Sequence, residues 1–62
     1  MKVYQVRQRM VDCFEGHFNG WKDLGAYLKK ERAEEAKAMG LEEAKEDICL
    51  SWVEIIEIEV IE

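Results

Sequence analysis

Two cysteines and one histidine carry the most specialised chemistry in this chain. Cys13 and His17 lie four residues apart, and Cys49 stands near the start of the C-terminal segment. Thiolates and imidazole are zinc ligands, and Glu15 could supply a fourth. No CxxC or HxxxH pair anchors the set, which favours ordinary thiols beside a loop histidine. We therefore expect no metal and no cofactor, and a Cys/His metal-binding module stays a distant alternative function.

Other catalytic arrangements have little support in the sequence. The chain has one serine and no threonine, and Ser51 lacks the GxSxG elbow of a nucleophile. The glycines match neither dinucleotide nor phosphate-loop spacing. The paired carboxylates at residues 34–35 and 42–43 are typical of a solvated helix face. We expect a protein that is not an enzyme.

The expected compartment follows from segments that the sequence lacks. No stretch approaches the ~20 apolar residues of a membrane span, and the N-terminal residues do not form an apolar signal region. We predict a cytoplasmic protein, in the bacterial host cytoplasm if it is phage-encoded. In a reducing compartment Cys13 and Cys49 are expected to be free thiols, with a disulfide as the alternative.

Charge is distributed unevenly along the chain. Residues 1–41 hold eight Lys or Arg and six Asp or Glu, whereas residues 42–62 hold one Lys and eight acids, giving a net charge of −5. Such a chain is repelled by nucleic acid phosphates and by anionic membranes, so we expect a basic protein surface as partner. Solubility alone is the alternative explanation. The acidic residues predicted to bind the partner are Glu42, Glu43, Glu46 and Asp47.

Aromatic side chains cluster between the first two predicted strands. Phe14, His17, Phe18 and Trp21 fall within eight residues that also contain two glycines. Exposed aromatic residues near a loop are typical interface anchors, so we predict that these four bind the partner as well. In the alternative, Phe14 and Trp21 fold back and close the end of the core.

The hydrophobic pattern predicts four elements in one domain spanning residues 1–62. Residues 2–12 alternate as a strand, and residues 23–28 form a second strand. Between them the chain reverses at one of two turn signals, Glu15-Gly16 or Asn19-Gly20, of which the second is the stronger. A helix begins near residue 30 and ends at 39 or continues to 45, and a strand follows from residue 48. This order predicts an α+β fold, β-β-α-β, whose three-stranded antiparallel sheet has order 2-1-3 and one helix on one face.

Small side chains mark the helix face that should pack on the sheet. Ala33, Ala36 and Ala44 recur at helical spacing, with Met39 or Gly40 completing the stripe. Because small residues let a helix approach closely, we expect this stripe to lie against the core.

The last strand is apolar on both faces. We predict that its even-numbered residues, from Ile48 to Val60, face the core. We also predict that the first and third strands pair so that the numbers of opposite residues sum to 66. This register sets Arg9 opposite Glu57 and Arg7 opposite Glu59. This register separates the two cysteines too far to bond, whereas a sum of 62 would bring them together.

The second apolar row of the last strand predicts self-association. In a sheet of order 2-1-3 this strand is an edge, so its outer backbone groups are unpaired and its odd-numbered side chains point away from the helix. Either a second copy or another protein's strand would cover it, and we favour a homodimer. The residues predicted in the dimer interface are Val53, Ile55, Glu57, Glu59 and Ile61.

The chain resembles a loose set of small phage and prophage proteins. The segments that carry the resemblance are MKVYQV, LKKERAEEA and VEIIEIEV, which are distributed from residue 1 to residue 60. Some proteins of this kind inhibit host defence systems, anti-CRISPR proteins among them. The resemblance implies a phage-encoded binding protein that inhibits a bacterial defence or nucleic-acid-handling complex, and it supplies no catalytic residues. The alternative is a small homo-oligomeric structural or assembly protein.

Overall fold

Three strands and one helix make up the chain, in the order strand, strand, helix, strand. The computed structural model describes residues 1–61. Its elements are β1 (Lys2–Val11), β2 (Phe18–Tyr27), α1 (Lys30–Ala44) and β3 (Leu50–Glu59). The strands form one antiparallel sheet of order β2-β1-β3, and α1 packs on one face of it. The predicted α+β fold and strand order are confirmed.

The β1–β2 connection contains Glu15-Gly16, the weaker of the two predicted turn signals, and not Asn19-Gly20. Asn19 and Gly20 belong to β2, and the chain reverses at residues 12–17. There the amide of Gly16 donates to the carbonyl of Asp12 at 2.8 Å, and Gly16 adopts a φ of +74°, which glycine tolerates without strain. Aromatic residues favour strands, so Phe18 and Trp21 extend β2 through the expected turn.

Helix α1 runs through Gly40 to Ala44, which is the longer of the two predicted alternatives. Ala33 and Gly40 are buried and Ala36 packs beside the core, as the small-residue stripe predicted, whereas Met39 is exposed. A Cβ atom placed on Gly40 would lie 2.8 Å from Leu24 Cδ1 and 2.9 Å from Val53 Cγ2. Gly40 therefore permits the close approach of helix and sheet.

The register between β1 and β3 differs from the predicted one. From Lys2–Glu59 to Gln8–Val53 the paired residue numbers sum to 61, not 66. Because this sum is odd and the predicted sum is even, the face of β3 that was expected to be exposed lies under the helix. Val53 and Ile55 pack there, whereas Ile48 and Trp52 are 76% and 58% exposed. The prediction that even-numbered residues face the core is wrong.

This register has a physical reason on each face of the sheet. On the helix side, Val53 fills the space left by Gly40, with Val6 and Ile55 beside it. On the other side, Arg7 pairs with Glu54. The predicted pairs Arg9–Glu57 and Arg7–Glu59 do not form, because those residues are not opposite each other.

The core between sheet and helix is small. Val6, Ala33 and Val53 are its fully buried apolar residues. Gln8 is buried among them, and its Nε2 donates to the carbonyls of Gly40 at 2.8 Å and Ser51 at 3.1 Å. Its Oε1 has no hydrogen-bond partner among the described residues. The partly buried residues around this core are Tyr4, Leu24, Tyr27, Ala36, Leu41 and Ile55.

The molecule is a flat, elongated slab. Its Cα atoms extend over 44 × 20 × 11 Å, and its accessible surface is 4715 Å². A compact monomer of 7.3 kDa exposes about 4,200 Å², so this fold exposes more surface than its mass requires. The excess is consistent with a sheet that a helix covers on one face only. Within residues 1–61, α1 is not long and apolar enough to cross a membrane.

Candidate functional site: the disulfide groove

A disulfide joins Cys13, just after β1, to Cys49, just before β3. Their Cα atoms are 4.8 Å apart, within the usual range for a disulfide. The predictions that these residues are free thiols and lie too far apart to bond are wrong. The β1–β3 register shifts between Gln8 and Met10, and Val11 N donates to Cys49 O at 2.8 Å, which brings the two cysteines together.

A groove of about 430 Å³ lies around the disulfide, and we call it the disulfide groove. It forms where the β1–β2 turn meets the loop between α1 and β3. Apolar and polar side chains both line it, so it offers contact area together with hydrogen-bonding atoms. Its lining includes Met10, Phe14 and Leu50 among apolar residues and Asp12, Asn19 and Asp47 among polar ones.

Two aspartates of the disulfide groove are held by the local backbone. Asp12 Oδ1 accepts from the amide of Phe14 at 2.9 Å, and Asp47 Oδ1 accepts from the amide of Cys49 at 2.9 Å. These short-range bonds fix each carboxylate while leaving its second oxygen for another donor. Neither aspartate forms an ion pair with a residue of the described chain.

The predicted acidic surface divides into paired and unpaired residues. Glu42 lies 3.2 Å from Lys45 Nζ, and Glu43 lies 3.2 Å from Lys22 Nζ. Asp47 and Glu46, by contrast, have no ion-pair partner in residues 1–61. All four lie at or beyond the C-terminal end of α1, whose last turn has no basic residue, so the helix dipole opposes their charge. Of these four residues, the two without an ion-pair partner in the described part of the chain, Glu46 and Asp47, lie in the loop that leads to Cys49.

The predicted aromatic residues are exposed but do not form one cluster. Phe14 is 96% exposed at the disulfide groove, and Trp21 is 39% exposed on the sheet face opposite the helix. The alternative in which both close the core is wrong. Phe18 and Trp21 pack edge to face, with their ring centroids 5.5 Å apart. His17 is exposed, and its Nε2 lies 3.2 Å from Glu15 Oε2. Only Phe14 of the four lines this groove.

The sheet face opposite the helix has its cations engaged within the chain. Arg7 lies 3.9 Å from the Trp21 ring centroid, and its Nε donates to Glu54 at 2.5 Å. Arg9 lies 5.5 Å from the Phe18 ring centroid. Stacking of guanidinium on aromatic rings stabilises both partners, so this face is not a free basic surface.

The glutamates of β3 are also paired within the chain. Glu54 pairs with Arg7, Glu57 lies 3.0 Å from Lys2 Nζ, and Glu59 lies 3.4 Å from the ammonium of Met1. The hydrogen bond that Lys2 donates to Glu57 raises the pKa of Lys2 above its usual value. The terminal strand is therefore less negative than its sequence indicates.

The structure divides the five residues predicted for a dimer interface. Val53 is fully buried and Ile55 packs against the core, so the prediction that their side chains face away from the helix is wrong. They face the helix because the paired residue numbers of β1 and β3 have an odd sum, 61. Glu57 and Glu59 lie on the exposed part of β3, and Ile61 is exposed beyond its end.

The disulfide also alters the zinc alternative. The two sulfurs are bonded to each other, so Cys13 and Cys49 do not offer thiolates in this state, and His17 is directed to Glu15. Within the described residues no group of three or more His, Cys, Asp or Glu side chains is arranged to hold a metal ion. A Cys/His site would require reduction of the disulfide first.

Sequence reasoning missed several residues of the disulfide groove. Asp12, Asn19 and Leu50 were assigned to strands or turns without a role. The signal that could have found them is the register in which Cys13 and Cys49 face each other, because that pairing brings the segments around both cysteines together. The register with a sum of 66 was preferred because it pairs arginines with glutamates, so the pairing of the two cysteines was not predicted.

Comparisons with known proteins add no relative. No protein-family model, curated protein or solved structure matches the chain.

Proposed function

We propose that this protein is a non-enzymatic interaction module that binds a basic protein surface through its disulfide groove. The observation that carries the proposal is the position of Phe14, almost fully exposed beside Asp12 and Asp47, two carboxylates without ion-pair partners in the described chain. An exposed aromatic ring next to unpaired charge leaves both its apolar surface and that charge available for a partner.

The chemistry of the groove suits a lysine or arginine side chain. The aliphatic stem of such a residue would lie along Phe14, Met10 and Leu50, while its cationic head would reach the free carboxylate oxygens of Asp12 and Asp47. Glu46 adds long-range attraction that speeds encounter with a positively charged surface.

The resemblance to small phage proteins supports a specific class of partner. A bacterial defence or nucleic-acid-handling complex presents a basic groove for phosphates, and an acidic, aromatic protein that occupies this groove would inhibit the complex. We propose that the protein acts in the bacterial cytoplasm, where the Cys13–Cys49 disulfide would have to resist reduction by the thiol pool. The net charge of −5 argues against direct binding to nucleic acid and against binding to an anionic membrane.

Matched charge variants test this proposal by affinity capture from a bacterial lysate. The groove variant carries Asp12→Asn and Asp47→Asn, which keep the Oδ1 acceptors of the local turns, together with Phe14→Ser. The control carries Glu31→Gln and Glu34→Gln, which remove the same charge near the N-terminal end of α1, far from the groove. We expect the wild type and the control to retain the same basic protein. The groove variant should bind that protein at least tenfold more weakly, which corresponds to a loss of about 1.4 kcal/mol in binding free energy. Equal retention by all three would refute the proposal.

A second candidate function is homo-oligomeric assembly. The specific observation in its favour is β3, a ten-residue strand at the edge of the sheet, in a molecule whose surface exceeds that of a compact monomer. We propose that two copies associate through this edge. The disulfide groove is formed partly by the other strands and the α1–β3 loop, so both functions can coexist in one molecule.

A further inference from the structure

The backbone groups of β3 that point away from β1 can be identified from one hydrogen-bonded pair. Val60 N donates to Met1 O at 2.7 Å, and Met1 N donates to Val60 O at 3.4 Å, so these two residues exchange hydrogen bonds. In an antiparallel pair such exchanges recur at every second residue. Even-numbered residues of β3 therefore bond to β1, and odd-numbered residues direct their N–H and C=O groups outward.

This alternation holds over a defined part of the strand. The register to β1 is constant from Val53 to Glu59 and shifts between the pairs Gln8–Val53 and Met10–Leu50. At this irregularity the carbonyl of Ser51 accepts from Gln8 Nε2, so it is already used inside the chain. The regular edge is therefore residues 53–59, in which Val53, Ile55, Glu57 and Glu59 direct backbone groups away from β1. Val53 has no accessible surface, so the open groups are those of Ile55, Glu57 and Glu59.

From this pattern we infer that two copies pair antiparallel through residues 53–59, around a two-fold axis beside Ile56. The inference rests on the self-association proposed above and specifies its register. A two-fold axis normal to the joined sheet pairs residues that lie on the same face, so paired residue numbers have an even sum. Centring on Ile56 makes that sum 112 and sets Val53 opposite Glu59 and Ile55 opposite Glu57 of the second copy.

Backbone pairing favours this register over the one centred on Ile55. With the sum of 112, the open groups of Ile55 and Glu57 meet each other on both sides of the axis, whereas Glu59 meets the buried Val53. With a sum of 110, Glu59 would meet Ser51, which lies at the irregularity and whose carbonyl already accepts from Gln8. The Ile56-centred register therefore forms more of the hydrogen bonds that the exposed edge offers.

Charge excludes the other neighbouring registers, apart from the sum of 110 considered above. In the Ile56-centred dimer Glu54 faces Ile58, and Glu57 and Glu59 face Ile55 and Val53, so no two glutamates are opposed. Sums of 108, 114, 116 and 118 would each set glutamate against glutamate, which is destabilising. Each glutamate also has a cation in its own chain, which lowers the repulsion between copies.

A pair of lysine substitutions on one face of β3 tests the register. Ile56→Lys sets two lysines against each other at the two-fold axis, so we expect the dimer dissociation constant, measured by analytical ultracentrifugation, to rise at least tenfold. The matched control Ile58→Lys sets lysine opposite Glu54 of the second copy, so its dissociation constant should stay within about threefold of the wild type. Circular dichroism establishes that both variants fold.

Amide hydrogen exchange of the wild type supplies a readout that needs no variant. On raising the protein concentration into the dimer range, the amides of Ile55 and Glu57 should become protected, whereas those of Ile56 and Ile58 are protected already. A dimeric Ile56→Lys variant, dissociation by both variants, or a wild type that remains monomeric would each overturn the inference. None of these results would affect partner binding at the disulfide groove, which the Asp12 and Asp47 variants test separately.

Discussion

At the scale of single residues, Gly40 determines how closely the helix and the sheet approach. Glycine costs about 1 kcal/mol relative to alanine inside a helix. Here the missing side chain leaves room for Val53 and Leu24, whose methyl groups occupy the space that a Cβ would need. The β-branched side chain of Val53 has few alternative rotamers and cannot move away easily.

Gly40→Ala should therefore destabilise the fold in spite of the better helix propensity of alanine. We expect the free energy of unfolding, measured by urea denaturation, to fall by about 1–3 kcal/mol, because the added methyl overpacks the core. The matched control is Ala38→Gly on the exposed face of α1, which should cost about 1 kcal/mol from propensity alone. A Gly40→Ala variant more stable than the wild type would show that the core can expand at this position.

Residue patterns predicted the elements better than the contacts between them. The small residues of α1 and the β-branched residues of β3 indicated their conformations and their order. The pattern could not decide which face of β3 is buried, since Val53 and Ile55 on one face and Ile56 and Ile58 on the other are equally apolar. Arg7 also had several glutamates within reach, so charge pairing did not fix the register. The disulfide and its groove depend on that register and were missed with it.

At the scale of elements, the disulfide fastens the β1–β2 turn to the beginning of β3. The bond links residues 36 positions apart, next to a core with three fully buried apolar side chains. Closing a loop of this length in the unfolded chain contributes about 4 kcal/mol by the chain-entropy account. For so small a core this is a large share of the total stability.

Reduction should therefore destabilise the protein strongly. We expect a thiol reductant to lower the free energy of unfolding of the wild type by about 4 kcal/mol, as measured by urea denaturation. The variant with both Cys13→Ser and Cys49→Ser should have the lower stability with or without reductant. Two titratable thiols in the folded, unreduced wild type, or equal stability before and after reduction, would contradict the prediction.

At the scale of the whole molecule, the net charge of −5 affects the two proposed associations in opposite directions. A basic partner is attracted to the protein, whereas a second copy is repelled by it. The Debye length falls from about 10 Å at 0.1 M salt to about 3 Å at 1 M, so added salt screens both effects.

Salt should accordingly weaken partner binding and strengthen self-association. Isothermal titration with the captured partner should give a dissociation constant that rises at least tenfold from about 0.1 M to 1 M salt. Sedimentation of the protein alone should give a dimer dissociation constant that falls over the same range. If both constants change in the same direction, one of the two interfaces does not have the charge balance described above.

The buried amide of Gln8 also has a consequence for the uniqueness of the fold. Three small apolar side chains define the centre of the core, and the close contact of Val53 with Gly40 is the main apolar feature that sets the position of the helix along the sheet. Gln8 Nε2 reaches the carbonyls of Gly40 and Ser51 together at only one longitudinal position of the helix. Any sliding would leave a buried donor unsatisfied, at about 1–3 kcal/mol. The hydrogen bonds of Gln8 therefore favour one position of α1 along the sheet over other positions with similar apolar contact.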